Sequence, residues 1–117
     1  MSNYSSMLRD PRWQKKRLKI LEKNKFQCFE CGNTERELHI HHCWYEHQLK
    51  PWEYHDSCYL VLCKECHLTR QDLEYKIKTK LADLRIHDLE SLCEFLDIAP
   101  AIGVDGCVKE LIKMMTP

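Results

Sequence analysis

Two Cys-x-x-Cys pairs, Cys28–Cys31 and Cys63–Cys66, constrain this chain more than any other feature. Two cysteines separated by two residues can direct both sulfurs at one ion, and two such knuckles complete a closed tetrahedral zinc site. The first pair lies in "FQCFECGN", where Gly32-Asn33 has turn chemistry. The second opens a stretch with helical spacing, and the positive end of a helix favours thiolates. Zinc bound there would add folding energy to the small core of a 117-residue chain. Cys43, Cys58, Cys93 and Cys107 are unpaired in this sense. Cys93 and Cys107 sit on apolar helical faces and read as small core residues. Cys43 and Cys58 flank the knuckles, as core residues or as alternative ligands. In a secreted chain the eight cysteines would instead form disulfides. The N-terminal "MSNYSSMLRDPRW" lacks the apolar core of a secretory signal, so reduced thiols and a cytoplasmic site are expected. No run approaches the ~20 apolar residues of a membrane span.

The rest of the chain reads as a small α+β domain. Asp10-Pro11 is a helix start, because Asp can cap free amides and Pro fits the first turn. From Pro11 to about Lys25, Trp13, Leu18, Ile20 and Leu21 oppose a basic face. "ELHIHH" (37–42) is a short strand, "WYEHQLKPWEYHDS" a loop around Pro51, and "CYLVLC" a second strand. A helix then begins near Cys63 or Lys64, with Leu73, Ile77, Leu81 and Leu84 on one face. Asp88 can cap a helix carrying Leu89, Leu92, Cys93, Phe95 and Leu96, which Pro100 and Gly103 interrupt. A last helix from Asp105 turns Val108, Leu111, Ile112 and Met115 inward. Residues 1–86 form the expected functional unit, and 87–117 a helical extension packed on the same domain.

The formal net charge is zero, but its distribution is uneven. Residues 1–27 carry eight Lys/Arg against Asp10 and Glu22, net +6; residues 28–67 carry three basic against seven acidic, net −4. Residues 68–117, seven basic against nine acidic, return the sum to zero. A basic leading helix can track a phosphate backbone or merely be a solvated face. The candidate contacts are Arg12, Lys15, Lys16, Lys19 and Lys23, with Arg70 and Lys64 further on. Trp44, Tyr45, Trp52 and Tyr54 crowd the loop, for packing over the finger or for stacking on a base.

The segment "CFECG…LHIHHCWY…PWEYHDSCYLVLCKECH" resembles the HNH endonuclease family, in particular members that embed the nuclease motif in a treble-clef zinc finger. The resemblance covers about residues 13–70. It implies a zinc-bound treble clef (the ββα-metal fold) with an N-terminal basic helix and C-terminal helices. It also implies structural Zn²⁺ on Cys28, Cys31, Cys63 and Cys66, a second divalent ion (Mg²⁺, Mn²⁺, Ni²⁺ or Zn²⁺) for catalysis, and DNA as partner. By the same correspondence His41 and His67 ligate the catalytic ion and His42 is the general base. The family's middle Asn, which orients the base, falls at Ser57 or Cys58, and no Asn follows Asn33. Asp56, Ser57 or a main-chain carbonyl is left to hold the imidazole. A further ligand position, one turn after His67, is Gln71. The chemistry is coherent: a neutral imidazole can take a proton from water near pH 7, and a sparsely ligated ion can stabilise the leaving 3′ oxygen. Side chains alternate along a strand, so His41 and His42 reach one site only if the strand ends or bulges there. His39, two before His41 and on its side of the strand, matches no family position and reads as a surface residue or, failing that, as a partner that supports the ligands; His47, His55 and His87 read as structural ones. The rival reading keeps the finger and drops the chemistry, leaving a module that binds nucleic acid or protein.

Overall fold

The computed structural model describes residues 4–101 and 103–116. Its elements are α1 (Tyr4–Leu8), α2 (Pro11–Lys23), β1 (Leu38–His42), β2 (Tyr59–Cys63), α3 (Lys64–Lys80), α4 (Ile86–Ile98) and α5 (Val104–Met115). Short 3-10 turns lie at Asp56–Cys58 and Ala99–Ala101. The class is mixed, helices with one two-stranded antiparallel sheet. The chain divides into two compact units, Met1–Glu74 and Tyr75–Pro117, with the division inside α3.

Helix α2 begins where Asp10-Pro11 places it, with the Asp10 carboxylate accepting from the Arg12 N–H at 2.8 Å. It ends in a Schellman motif: Phe26 N–H reaches the Leu21 carbonyl at 2.9 Å and Lys25 N–H the Glu22 carbonyl at 3.0 Å. Lys25 (φ 56°) takes the left-handed position that glycine usually fills there. Trp13, Ile20 and Leu21 are buried, but Leu18 is half exposed. At about 100° per residue, Ile20 and Leu21 fall within about 80° of Trp13, whereas Leu18 lies about 140° away. Helix α1 has no clear sequence signal. Leu8 at its end packs on the core, and its carbonyl accepts from Gln14 Nε2 at 2.9 Å.

The strands pair in regular register, Leu38 opposite Cys63, Ile40 opposite Val61 and His42 opposite Tyr59. Period-2 alternation therefore sorts β1 into two faces. Leu38 and Ile40 pack on the cluster of Trp13, Ile20, Leu21, Tyr54, Cys58, Tyr59 and Val61. Across the sheet, Leu60 packs with Leu62, Cys28 and Cys63, and His39 and His41 share its face. The ladder ends at His42 without a bulge. The first knuckle is tied down by Phe29 N–H on the Val61 carbonyl (2.7 Å) and Gly32 N–H on the Cys28 carbonyl (2.9 Å). Gly32, at φ 72°, supplies the tight turn.

In the second unit, Asp88 stabilises the start of α4 from its third position, accepting from the Arg85 N–H at 3.2 Å. The expected inward faces are open in large part, with Leu81, Leu92 and Phe95 half-buried. Leu89, Leu96, Val108, Leu111, Ile112 and Met115 are exposed, as are Leu73, Ile77 and Leu84 before them. Cys93 is exposed and Cys107 only half-buried, so neither is the core residue expected from its spacing. Helical period identifies an apolar face, but not whether anything covers it.

Candidate metal centre and histidine site

The ends of the knuckles meet. Donor atoms of Cys28, Cys31, Cys63 and Cys66 all lie within 4.8 Å of one another. Among the described residues, this is the one such group of three or more metal-ligating side chains. Ligands about 2.3 Å from a tetrahedral zinc lie about 3.8 Å apart; Sγ of Cys31 and Sγ of Cys63 are 3.8 Å apart. Burial opposes ionisation of Cys28, yet main-chain groups of Cys31, Cys63 and Glu30 pull its thiol down to about 6. Cys66 is pushed up to about 12, first by hydrogen bonding with Cys63 and then by desolvation. The donor set suits zinc. All eight cysteines are free, which leaves the disulfide framework without a bridge.

β2 leads from Cys58 to this cluster, and α3 starts on it, which fixes His67 directly after Cys66. Two β1 histidines reach that helix. His39 Nδ1 is 3.0 Å from His67 Nδ1, a pair in which one nitrogen donates and the other accepts. His41 Nε2–H donates to Glu74 Oε1 at 3.1 Å, and its ring centroid is 5.2 Å from that of His67. The same Glu74 oxygen accepts from Arg70 Nε at 2.8 Å. Burial, then the neighbouring His41 and His39, lower the affinity of His67 for a proton. The His67 ring therefore favours the neutral form that a metal requires.

His42 lies on the opposite face, 4% exposed. Its ring is enclosed by Trp13, Tyr45, Tyr54 and Tyr59 at centroid distances of 5.4, 5.4, 5.3 and 5.0 Å. Its Nε2–H donates to the Pro51 carbonyl at 3.0 Å, and Tyr59 O–H donates to the same oxygen at 2.7 Å. Because a carbonyl only accepts, the proton belongs on Nε2 and the lone pair on Nδ1. Burial lowers the His42 pKa, so the neutral ring is favoured. Of Asp56, Ser57 and a main-chain carbonyl, the carbonyl is the group that meets the His42 imidazole. Ser57 is engaged with His55 Nδ1 (2.9 Å from Oγ), Cys58 Sγ with the Trp44 carbonyl (3.3 Å), and Asp56 with lysines.

A hollow of about 340 Å³ joins the two faces. Its lining includes Leu38, His39, Ile40 and His42 of β1, His67 and Gln71 of α3, and Arg17, but nothing from β2. It therefore runs along the free edge of β1. His41 does not line it. The sequence-derived trio is thus brought together in part: His42 and His67 open on one hollow, and His41 touches His67 from beside it. His39, expected to be a bystander, belongs to the cluster. Glu74, overlooked in the sequence, sits two helical turns beyond His67, a spacing that α3's periodicity places on one face.

The expected phosphate contacts fare unevenly. Arg12 is paired with Asp10 (2.9 Å) and lies over the Trp52 ring at 4.4 Å. Lys16 and Lys23 both bind Asp56, at 2.7 and 3.3 Å, and these hydrogen bonds hold the Asp56 carboxyl down to about 2. Arg70 is committed to Glu74. Lys15 and Lys19 are exposed and have no ion pair among the described residues. Tyr54 is buried, whereas Trp44 and Tyr45 are exposed, with Tyr45 stacked on His42. No helix among the described residues is long and apolar enough to cross a membrane. Comparison with protein-family models, with curated proteins and with solved structures returned no match.

Proposed function

We propose that this chain is a metal-dependent endonuclease of the HNH type, hydrolysing DNA phosphodiester bonds from a ββα-metal site on a zinc-bound treble clef. The observation that carries the reading is His42. It is a neutral, buried imidazole whose Nε2–H is held by the Pro51 carbonyl, in a hollow it shares with His67. In that tautomer Nδ1 is the base: it takes the proton of the attacking water. The Pro51 carbonyl then stabilises the imidazolium through the Nε2–H it already accepts. Trp13 and the three tyrosines hold the ring plane and exclude competing water. His41, fixed by Glu74, and His67, fixed by the cysteine cluster, would hold the divalent ion. That ion supplies charge stabilisation at the leaving 3′ oxygen. Lys15 and Lys19 remain for the phosphate backbone. One such site cuts one strand, so a single copy nicks.

The test is supercoiled plasmid incubated with the zinc-loaded protein and Mg²⁺, Mn²⁺ or Ni²⁺, beside His42→Ala. Metal-dependent nicking that His42→Ala loses supports the reading; equal rates, or none, refute it. A specific observation favours the rival binding module in its protein-binding form: Arg12, Lys16, Lys23 and Arg70 are already paired with carboxylates, which weakens the face that would track phosphates. That module binds nucleic acid or protein without any metal-dependent cleavage.

A further inference from the structure

We propose that His39 is a ligand of the catalytic ion, and that His39 and His67 form the pair on which the ion first seats. The inference rests on the nuclease reading for its function but on the histidine geometry for its site. Imidazole nitrogens bind such ions at about 2.0–2.1 Å, so two of them on a tetrahedral centre lie about 3.3 Å apart. The Nδ1 atoms of His39 and His67 are 3.0 Å apart and reach that spacing by opening a few tenths of an ångström. With ring centroids about 1.1 Å beyond each nitrogen, two ligating rings stand about 5 Å apart. The His39–His67 and His41–His67 centroid distances are both 5.2 Å.

One strand histidine has a carboxylate hydrogen-bonded to its other nitrogen, and a second carboxylate lies near the other histidine without a hydrogen bond. His41 Nε2 donates to Glu74 at 3.1 Å, and His39 Nε2 is 3.7 Å from Glu37 Oε1. Ligating histidines commonly present such a backing carboxylate, which fixes the tautomer and raises donor strength. It leaves Nδ1 of His41 free to be a donor atom, while for His39 it is Nδ1 that already meets His67. Strand alternation puts His39 and His41 on one face, and α3 projects His67 against it. His39 and His67 line the hollow with His42, whereas His41 does not. The pair therefore offers a seat on the hollow side of His67, where His42 also opens, with His41 beside it rather than in it. Gln71 lines the same hollow without supplying a carboxylate or imidazole.

The experiment is equilibrium dialysis of Mn²⁺ and of Co²⁺ against the full-length, zinc-loaded chain. It compares wild type with His39→Ala, His39→Gln, His41→Ala and His67→Ala, each variant accepted when it retains one zinc and the wild-type circular dichroism. Wild type should bind one ion beyond zinc. His39→Ala and His39→Gln should weaken it at least about 100-fold, as His67→Ala does, because losing a ligand costs at least as much as losing its backing group. His41→Ala should weaken it less. Wild-type affinity in the His39 variants, or no second ion in wild type, overturns the proposal. The nuclease reading fails separately: His39-dependent binding together with nicking that survives His42→Ala leaves the ion site standing and removes the mechanism.

Discussion

Chelation of the cysteine-bound metal should unfold the N-terminal unit, and the structure sets the scale. At roughly 0.05–0.15 kcal/mol per residue, the 74 residues of Met1–Glu74 have a net stability of about 4–11 kcal/mol. Structural zinc contributes an apparent 10–16 kcal/mol in small zinc domains at pH 7. Here it would join the first knuckle, the end of β2 and the start of α3, with Cys28 and Cys63 inside the second hydrophobic cluster. Truncating even a fully buried core side chain, such as Leu62→Ala, costs about 2–5 kcal/mol. Metal removal should therefore exceed any core truncation and abolish the folded state. The assay is thermal unfolding by circular dichroism with and without chelator, paired with thiol titration. With metal bound, Cys28, Cys31, Cys63 and Cys66 should resist modification even though Cys31 is exposed. An unchanged melting curve in chelator, or immediate reaction of Cys31 in metal-loaded protein, would refute the reasoning.

Tyr59→Phe removes the hydroxyl that shares the Pro51 carbonyl with His42. It should cost about 0.5–1.5 kcal/mol by denaturant melting, and lower kcat more than it raises KM; unchanged nicking kinetics would count against a positioning role. A double-mutant cycle of Lys16→Met and Asp56→Asn should give a coupling near the top of the ~0.2–1 kcal/mol range of partly exposed pairs. The Asp56 carboxyl is depressed to about 2, so this stabilisation is fully present above the unfolded value of about 3.9 and is lost as pH falls toward 2. The coupling should be flat from pH 8 to 5; a decline within that window would contradict the assignment. Trp13→Ala, which removes the ring packed against both His42 and Tyr59, should cost about 3–5 kcal/mol in the same melts.

The cysteine cluster was legible because its signal is a spacing, and Cys-x-x-Cys geometry survives any fold that lets two knuckles meet. The same holds for Asp10-Pro11, whose cap is a local interaction. His39 was not legible: a strand shows that it shares a face with His41, but not that α3 returns over that face. Pro51 escaped residue-level assignment because its functional atom is a main-chain oxygen, which any residue type could offer. Lys16 and Lys23 read as free cations because Asp56 lies 40 and 33 positions away in sequence. Glu74 was within reach, two turns from His67 on a helix already inferred. The exposed leucines of α3 to α5 mark the opposite failure, where periodicity was right about the face and silent about its cover.

Single-turnover cleavage of an end-labelled DNA duplex by the zinc-loaded protein and Mn²⁺, with wild type beside His42→Ala, tests the central assignment most directly. A neutral His42 that activates water against a leaving 3′ oxygen predicts 5′-phosphate and 3′-hydroxyl ends. It also predicts a rate at least about 100-fold lower in His42→Ala, the scale of general-base catalysis, with zinc content unchanged. Cleavage at the wild-type rate in the variant, or 3′-phosphate ends, would contradict it.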